Sequence, residues 1–174
     1  MKKLKYIRIV LSLLTVAFVS CDDNLDITPE DALVTDIAIK DPANIQKLLV
    51  STYGIARADD SYGGNIALAS ELIANDGDIY WNGTYVQPAE FDEKAMFPDN
   101  SYVRDIWMNG YKINNQANII LASLSVVTDA NEKSRLEGEA KFLRGLVYFD
   151  LGRLFSKPYV AGATNSQLAV PVIL

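Results

Sequence analysis

Apolar residues fall along this 174-residue chain first in one nearly continuous run and then in sets spaced by three and four. Residues 9–19 are apolar throughout except for Ser12 and Thr15. Beyond residue 40 the spacing becomes that of helices with one face turned inward. Ile45, Leu48, Leu49, Thr52 and Ala56 form the first such face. Asp41 stands where it can cap the free N–H groups, and Pro42 suits the first helical position. Asp59, Asp60, Gly63 and Gly64 interrupt the pattern. A shorter helix is predicted over residues 65–75, with Ile66, Ala69, Leu72 and Ile73 inward. A long one is predicted over residues 102–126, with Val103, Trp107, Gly110, Asn114, Ala117, Leu121 and Leu124 on its stripe.

Residues 128–131 make a short turn, and a second long helix is predicted over residues 130–155. Asp129, with Glu132 three positions on, matches a capping box with Asp as the cap. This helix carries two apolar stripes. Leu136, Ala140, Leu143, Val147, Leu151 and Leu154 form one, and Phe142, Leu146 and Phe149 form the other. Two stripes imply more than one neighbouring helix. A short connection implies that the two long helices form an antiparallel hairpin. On the remaining face Glu137 and Lys141 are spaced to pair.

Residues 75–100 lack either rhythm. They contain Gly77, Gly83, Pro88 and Pro98, and they concentrate aromatics at Tyr80, Trp81, Tyr85, Phe91 and Phe97. They read as a loop of more than 20 residues, a length that is uncommon in a domain unless it carries function.

The first 21 residues change the setting of this helical body. Lys2, Lys3, Lys5 and Arg8 precede the apolar run, and the small Ser20 and then Cys21 follow it. That order describes a secretory signal. The run is short of the roughly 20 residues a membrane span needs. A short anchor or a buried helix is the plainer alternative. Cys21 is the sole cysteine, and Val19 and Ser20 before it fit a bacterial lipobox, with Phe18 in place of the usual leucine. Lipidation would explain a lone cysteine in a secreted chain, the other reading being an inert thiol. Each buried CH₂ contributes about 0.8 kcal/mol, so several acyl chains would hold the protein firmly on a membrane. The expected organisation is a signal peptide at 1–20, an acylated N-terminus and tether at 21–40, and a helical region at 41–174.

Charge and composition narrow the chemistry. Residues 1–20 hold four of the 16 Lys and Arg and none of the 22 acids, so the chain without them has a net charge of −10. Such a surface repels phosphates, which argues against nucleic acid as a partner, and could attract calcium. The absence of histidine excludes His-based triads and removes the commonest zinc ligand. Carboxylate or Ser/Lys chemistry remains open to it. Asp76-Gly77-Asp78 is too sparse for a calcium loop. No metal, cofactor or catalytic residue is assigned. The closing run Ala169-Val170-Pro171-Val172-Ile173-Leu174 has no turn or polar finish. It suggests a fragment of a longer protein or a truncated gene, whose isolated body would be marginally stable or aggregation-prone.

Several motifs occur in a recognisable order. Asp22 and Asp23 follow the cysteine, and Asp26 and Pro29 lie in the tether. Residues 71–78 read E-L-I-A-N-D-G-D. Trp107, Tyr111, Ile113, Ala117 and Asn118 give a W…Y…I…A-N pattern. Residues 139–149 read E-A-K-F-L-R-G-L-V-Y-F, and Val170-Pro171-Val172 follows. Together these resemble the N-terminal part of SusD/RagB-type lipoproteins of the Bacteroidetes, with Gly145 where that family prefers Ala and a blurred stretch over residues 159–167. The resemblance implies a mainly α fold: a helical scaffold with tetratricopeptide-like helix pairs and irregular loops, of which this chain holds the first part. It implies capture of oligosaccharide, sometimes peptide, at the cell surface and delivery to a SusC-type TonB-dependent transporter, without enzymatic activity. The acids after Cys21 resemble a surface-export signal; an ordinary polar tether is the alternative.

Candidate ligand contacts fall in the aromatic loop. Flat rings stack on the C–H faces of sugars, while amides and carboxylates replace water on the hydroxyls. Trp81, flanked by Tyr80, Asn82 and Tyr85 and preceded by Asp76 and Asp78, offers both. The opposing reading is that Trp81 and Phe91 fasten the loop to the helices. Trp107, Tyr111, Tyr148 and Phe149 sit on helical stripes and are read as core. Arg144 is expected to pair with Glu137, Asp150 or a helix end, and Asn114 and Asn118 to bond between helices. Three functions stay open: a glycan-binding lipoprotein, a lipoprotein that only holds a partner in place, and a carboxylate-based glycoside hydrolase.

Overall fold

The computed structural model describes residues 39–174. The signal peptide, Cys21 and nearly all of the tether lie outside the described residues. Five helices follow in order: α1 (Pro42–Ala56), α2 (Asn65–Ala74), α3 (Val86–Asp92), α4 (Ser101–Ser123) and α5 (Ala130–Phe155). A 3₁₀ turn, Leu124–Val126, closes α4. Among the described residues there is no strand, and the fold is mainly α.

Local chemistry sets the helix boundaries. The Asp41 carboxylate accepts the Ala43 N–H at 2.9 Å, with Pro42 at the first position of α1. Asp129 accepts the Glu132 N–H at 2.8 Å and starts α5. Asn100, which the periodicity did not single out, caps α4 by accepting the Tyr102 and Val103 N–H groups at 3.0 and 3.2 Å. The α1–α2 connection folds back so tightly that a Cβ on Gly63 would lie 2.3 Å from the Arg57 carbonyl oxygen. Only glycine allows that approach.

The core runs between α1, α4 and α5, with α2 and α3 closing one side. Tyr111 stacks edge-on with Tyr148, and Asn118 meets Arg144, so α4 and α5 pair in opposite directions as their short connection implies. The predicted face of α1 is buried at Ile45, Leu49, Thr52 and Ala56. The first stripe of α5 is likewise buried from Leu136 to Leu151. The stripe read for α4 needs correction. Gly110, Asn114, Ala117 and Leu124 are buried, but the seam follows Ile106, Ile113 and Ile120 rather than Val103, Trp107 and Leu121. The two sets lie about 100° apart around the helix, one residue's rotation. Trp107 drew the reading toward itself, yet it sits at the edge, against Tyr111 and Phe155 with ring centroids 4.9 and 5.0 Å away.

Three arginines tie α5 to its neighbours. Arg135 bonds Gln46 of α1 as well as Glu132 and Glu139. Arg153 reaches Ser70 of α2 at 2.9 Å and Asp150 at 2.8 Å. These two are 18 residues apart, five turns of an α-helix, and so share a face. Arg144, midway between them, faces the other way and donates to Asn118 of α4 at 2.9 Å. Its partner is therefore neither Glu137 nor Asp150: Lys141 holds the first and Arg153 the second. On the α1–α4 side the Thr52 hydroxyl contacts Gln116 Oε1 at 2.8 Å.

Two further expectations fail in a physically informative way. Asn118 bonds across helices, but Asn114 is buried with neither its amide nitrogen nor its oxygen partnered. It faces the apolar seam, where nothing polar meets it. Phe149, read as core, is 68% exposed, and Phe142 is 61% exposed. The second α5 stripe is therefore largely open to solvent: Phe142 and half-buried Leu146 border a shallow depression beside the end of α1, and Phe149 is exposed.

Candidate functional site

The aromatic segment after α2 is more ordered than a loop reading allows. Asn75, at the end of α2, accepts the N–H groups of Gly77 and Ile79 at 2.9 and 3.0 Å and donates to the Ile79 carbonyl. These bonds wrap the acidic turn Asp76-Gly77-Asp78 around one side chain, with Gly77 at a φ of 106°. From the far end of the segment Lys94 donates to the Asn75 carbonyl at 2.7 Å.

Within the predicted loop, residues 86–92 form α3, with Pro88, Glu90 and Phe91 buried. This corrects the sequence reading, and α3 is what positions the candidate site. Asp92 accepts the Trp81 N–H at 2.9 Å. The Trp81 indole N–H donates to the Tyr85 carbonyl at 3.1 Å, bending residues 81–85 around the ring. A Cβ on Gly83 would lie 2.2 Å from Cζ2 of that ring, so glycine is required where the backbone passes over it.

The candidate residues divide into two groups. Trp81 is half-buried and packs against the core, so its fastening role is present in the fold. Its indole N–H is committed to Tyr85, and the Gly83 backbone passes over part of the ring, which leaves the ring's remaining exposed surface as its means of meeting a ligand. Tyr80 and Tyr85 are 73% and 64% exposed. Asp76, Asp78 and Asn82 are also exposed. Trp81, Gly83 and Tyr85 thus form one unit. Asp76 and Asp78 belong to the neighbouring Asn75-centred turn, joined to that unit through Tyr80.

Glu90 plays a second positioning part. Although buried, its carboxylate accepts the Phe97 N–H at 3.1 Å and an Asn100 side-chain N–H at 2.7 Å. It links α3 to the cap of α4. Among the described residues no group of three or more Cys, Asp or Glu is placed to hold a metal ion.

A second constellation escaped the sequence reading. Residues 170–174 lie against the α4–α5 hairpin without forming a strand. Tyr111 donates to the Pro171 carbonyl at 2.8 Å, and Asn118 to the Ile173 carbonyl at 2.9 Å. The Tyr148 hydroxyl donates to the Ile173 carbonyl at 2.9 Å and accepts the Ile173 N–H at 2.8 Å. Arg144 completes the clamp by holding the Asn118 oxygen. Burial, with Tyr148 adding to it, pushes the Tyr111 phenol above its ordinary 10. Polar tips on two tyrosines and an asparagine were the available signal; reading the rings as core hid it.

A SusD-like family model, described as starch-binding associating with outer membrane, matches residues 23–171. The chain belongs to the SusD-like family. Neither the curated proteins nor the solved structures compared with this SusD-like chain gave a match. The match spans the aromatic segment and both long helices and ends at Pro171, within the clamped segment. The residues that first suggested the family have visible work in the fold: Tyr111, Asn118, Arg144 and Tyr148 hold residues 171–173 in place.

Proposed function

We propose that this SusD-like chain is a glycan-binding lipoprotein, acylated at Cys21, that captures oligosaccharide at the outer membrane for delivery to a SusC-type TonB-dependent transporter. Its family's description as starch-binding and outer-membrane associated carries the reading. The exposed Tyr80 and Tyr85, close to the half-buried Trp81 in the chain, offer the chemistry a sugar needs. Asp76, Asp78 and Asn82 beside them would meet sugar hydroxyls. The role is to hold and hand over. Charge keeps nucleic acid away, and the sequence offers no histidine for acid–base work.

Titration calorimetry of the full chain with a panel of oligosaccharides, starch-derived ones first, tests the reading. Saturable binding is expected, weakened about tenfold by Trp81→Ala, which corresponds to about 1.4 kcal/mol. Silence across the panel, with peptides included, would overturn it. A second reading, a lipoprotein that only holds a partner, is favoured by the exposed Phe142 and Phe149 on α5. It predicts that a partner co-purifies with wild type and Trp81→Ala alike, with no glycan bound by either.

A further inference from the structure

We infer that the cavity between α2, α3, α4 and the end of α5 is a second binding site, for an uncharged flat apolar group of one or two rings. The cavity measures about 320 Å³. Ile73, Phe91, Val103 and Phe155 are among its walls, and Met96 and Phe97 stand at its rim. Every side chain that lines it is apolar. A sugar placed there would find no polar side chain, and only main-chain groups, to replace water on its many hydroxyls, so this site does not extend the proposed glycan surface. An ionised group would be desolvated without a partner and is disfavoured for the same reason. A cavity of about 150 Å³ already holds benzene, so one twice that size accommodates two fused rings.

The rim is built, not left over from packing. Lys94 adopts a φ of 55° and turns the chain out of α3. The buried Glu90 carboxylate then fixes the rim main chain by accepting the Phe97 N–H, and by holding Asn100 it locks the rim to the start of α4, the opposite wall. With its backbone pinned this way, the Phe97 side chain is nevertheless 63% exposed, and Met96 is exposed beside it. Core packing gives no reason to fix two large apolar side chains at an open mouth; an apolar ligand that they partly cover does. Adjacent residues of α3 serve the two places, since Phe91 lines the cavity and Asp92 holds Trp81. The inference stands whether or not the aromatic segment binds glycan.

The test uses the full chain labelled with ¹³C at methionine methyls and titrated with 2-naphthol. Met96 is at the rim, whereas Met108 does not line the cavity and serves as an internal control. The Met96 methyl should shift saturably while Met108 stays still. Val103→Trp, which fills the cavity, should abolish the shift, and Phe142→Ser on the far apolar stripe should leave it unchanged. Met96 and Met108 moving together without saturation would overturn the inference, as would undiminished affinity in a folded Val103→Trp chain. Where circular dichroism shows Val103→Trp unfolded, Phe97→Ser takes its place. At least fivefold weaker binding of 2-naphthol then supports the site, and unchanged affinity refutes it.

Discussion

Replacing Tyr148 by Phe removes one hydroxyl and should free one short segment. That oxygen donates to the Ile173 carbonyl and accepts the Ile173 N–H, at 2.9 and 2.8 Å. Each intramolecular hydrogen bond contributes about 0.5–1.5 kcal/mol net, and a solvent-exposed site takes the low end. The two bonds together therefore contribute about 1–2 kcal/mol to docking of residues 171–174. The ring itself is kept, so its edge-on contact with Tyr111 survives. The Tyr111–Pro171 and Asn118–Ile173 bonds survive as well. Amide hydrogen exchange is the appropriate assay because it reads local opening apart from global unfolding. The Ile173 amide should exchange about tenfold faster, the factor that corresponds to about 1.4 kcal/mol. The melting temperature should fall by no more than about 4 °C, because Val172 and Ile173 are largely exposed and bring little apolar burial to the fold. Unchanged exchange at Ile173 would refute the clamp. A melting loss as large as that of a core cavity would show that Tyr148 supports the hairpin instead.

Three other outcomes are expected. Ile113→Ala, at a fully buried position on the α4 seam, should cost about 2–5 kcal/mol in chemical denaturation, whereas Val103→Ala on the half-buried flank should cost visibly less. Gly83→Ala places a methyl against the Trp81 ring and should displace the indole from the Tyr85 carbonyl; tryptophan fluorescence should change and oligosaccharide binding weaken, with helix content by circular dichroism intact. The hydrogen bond from Arg135 to Glu132, and that from Lys141 to Glu137, hold these carboxyls below the ordinary 4.5. A depressed folded value makes the contribution fully present above about pH 4.5 and lost as the pH falls through the folded values, so these pairs add no pH dependence between 5 and 8. Thermal melts below pH 4.5 should show the loss, with a shallower decline in Glu137→Gln.

The helical frame was largely legible because its signals are local. Asp41 with Pro42, and Asp129 with Glu132, mark helix starts through chemistry confined to a few residues. The α5 stripe from Leu136 to Leu151 repeats for long enough that no other register fits. On α4 the apolar arc is wide enough for two registers, and the sequence alone does not say which flank meets α5. The partners of Arg144, Asn118 and Tyr148 were illegible for another reason. Each is at least 25 residues away in the chain, so no short-range pattern records them. Asn114 shows the converse, an amide that looks like an interhelical bond on a helical wheel and meets only apolar neighbours on the seam.

The seven residues of α3 show why the site was harder to read than the scaffold. Seven residues give barely two turns, too few for a 3.6-residue period to stand out among Tyr85, Val86, Phe91 and the preceding Gly77 and Gly83. The helix is marginal by itself, since isolated helices of this length do not persist in water. Its stability must come from contacts: Phe91 and Pro88 buried against the core, and the Glu90 carboxylate bonded to Phe97 and Asn100. Once formed, it fixes Trp81 through Asp92. The order of cause therefore runs from the α1–α4–α5 core and the α2 that closes it, to a short helix held on α2 and α4, to an aromatic segment fixed through Asp92 of that helix. A substitution that loosens Phe91 should consequently weaken oligosaccharide binding at little cost to the long helices, because Trp81 is held through Asp92, the next residue of α3.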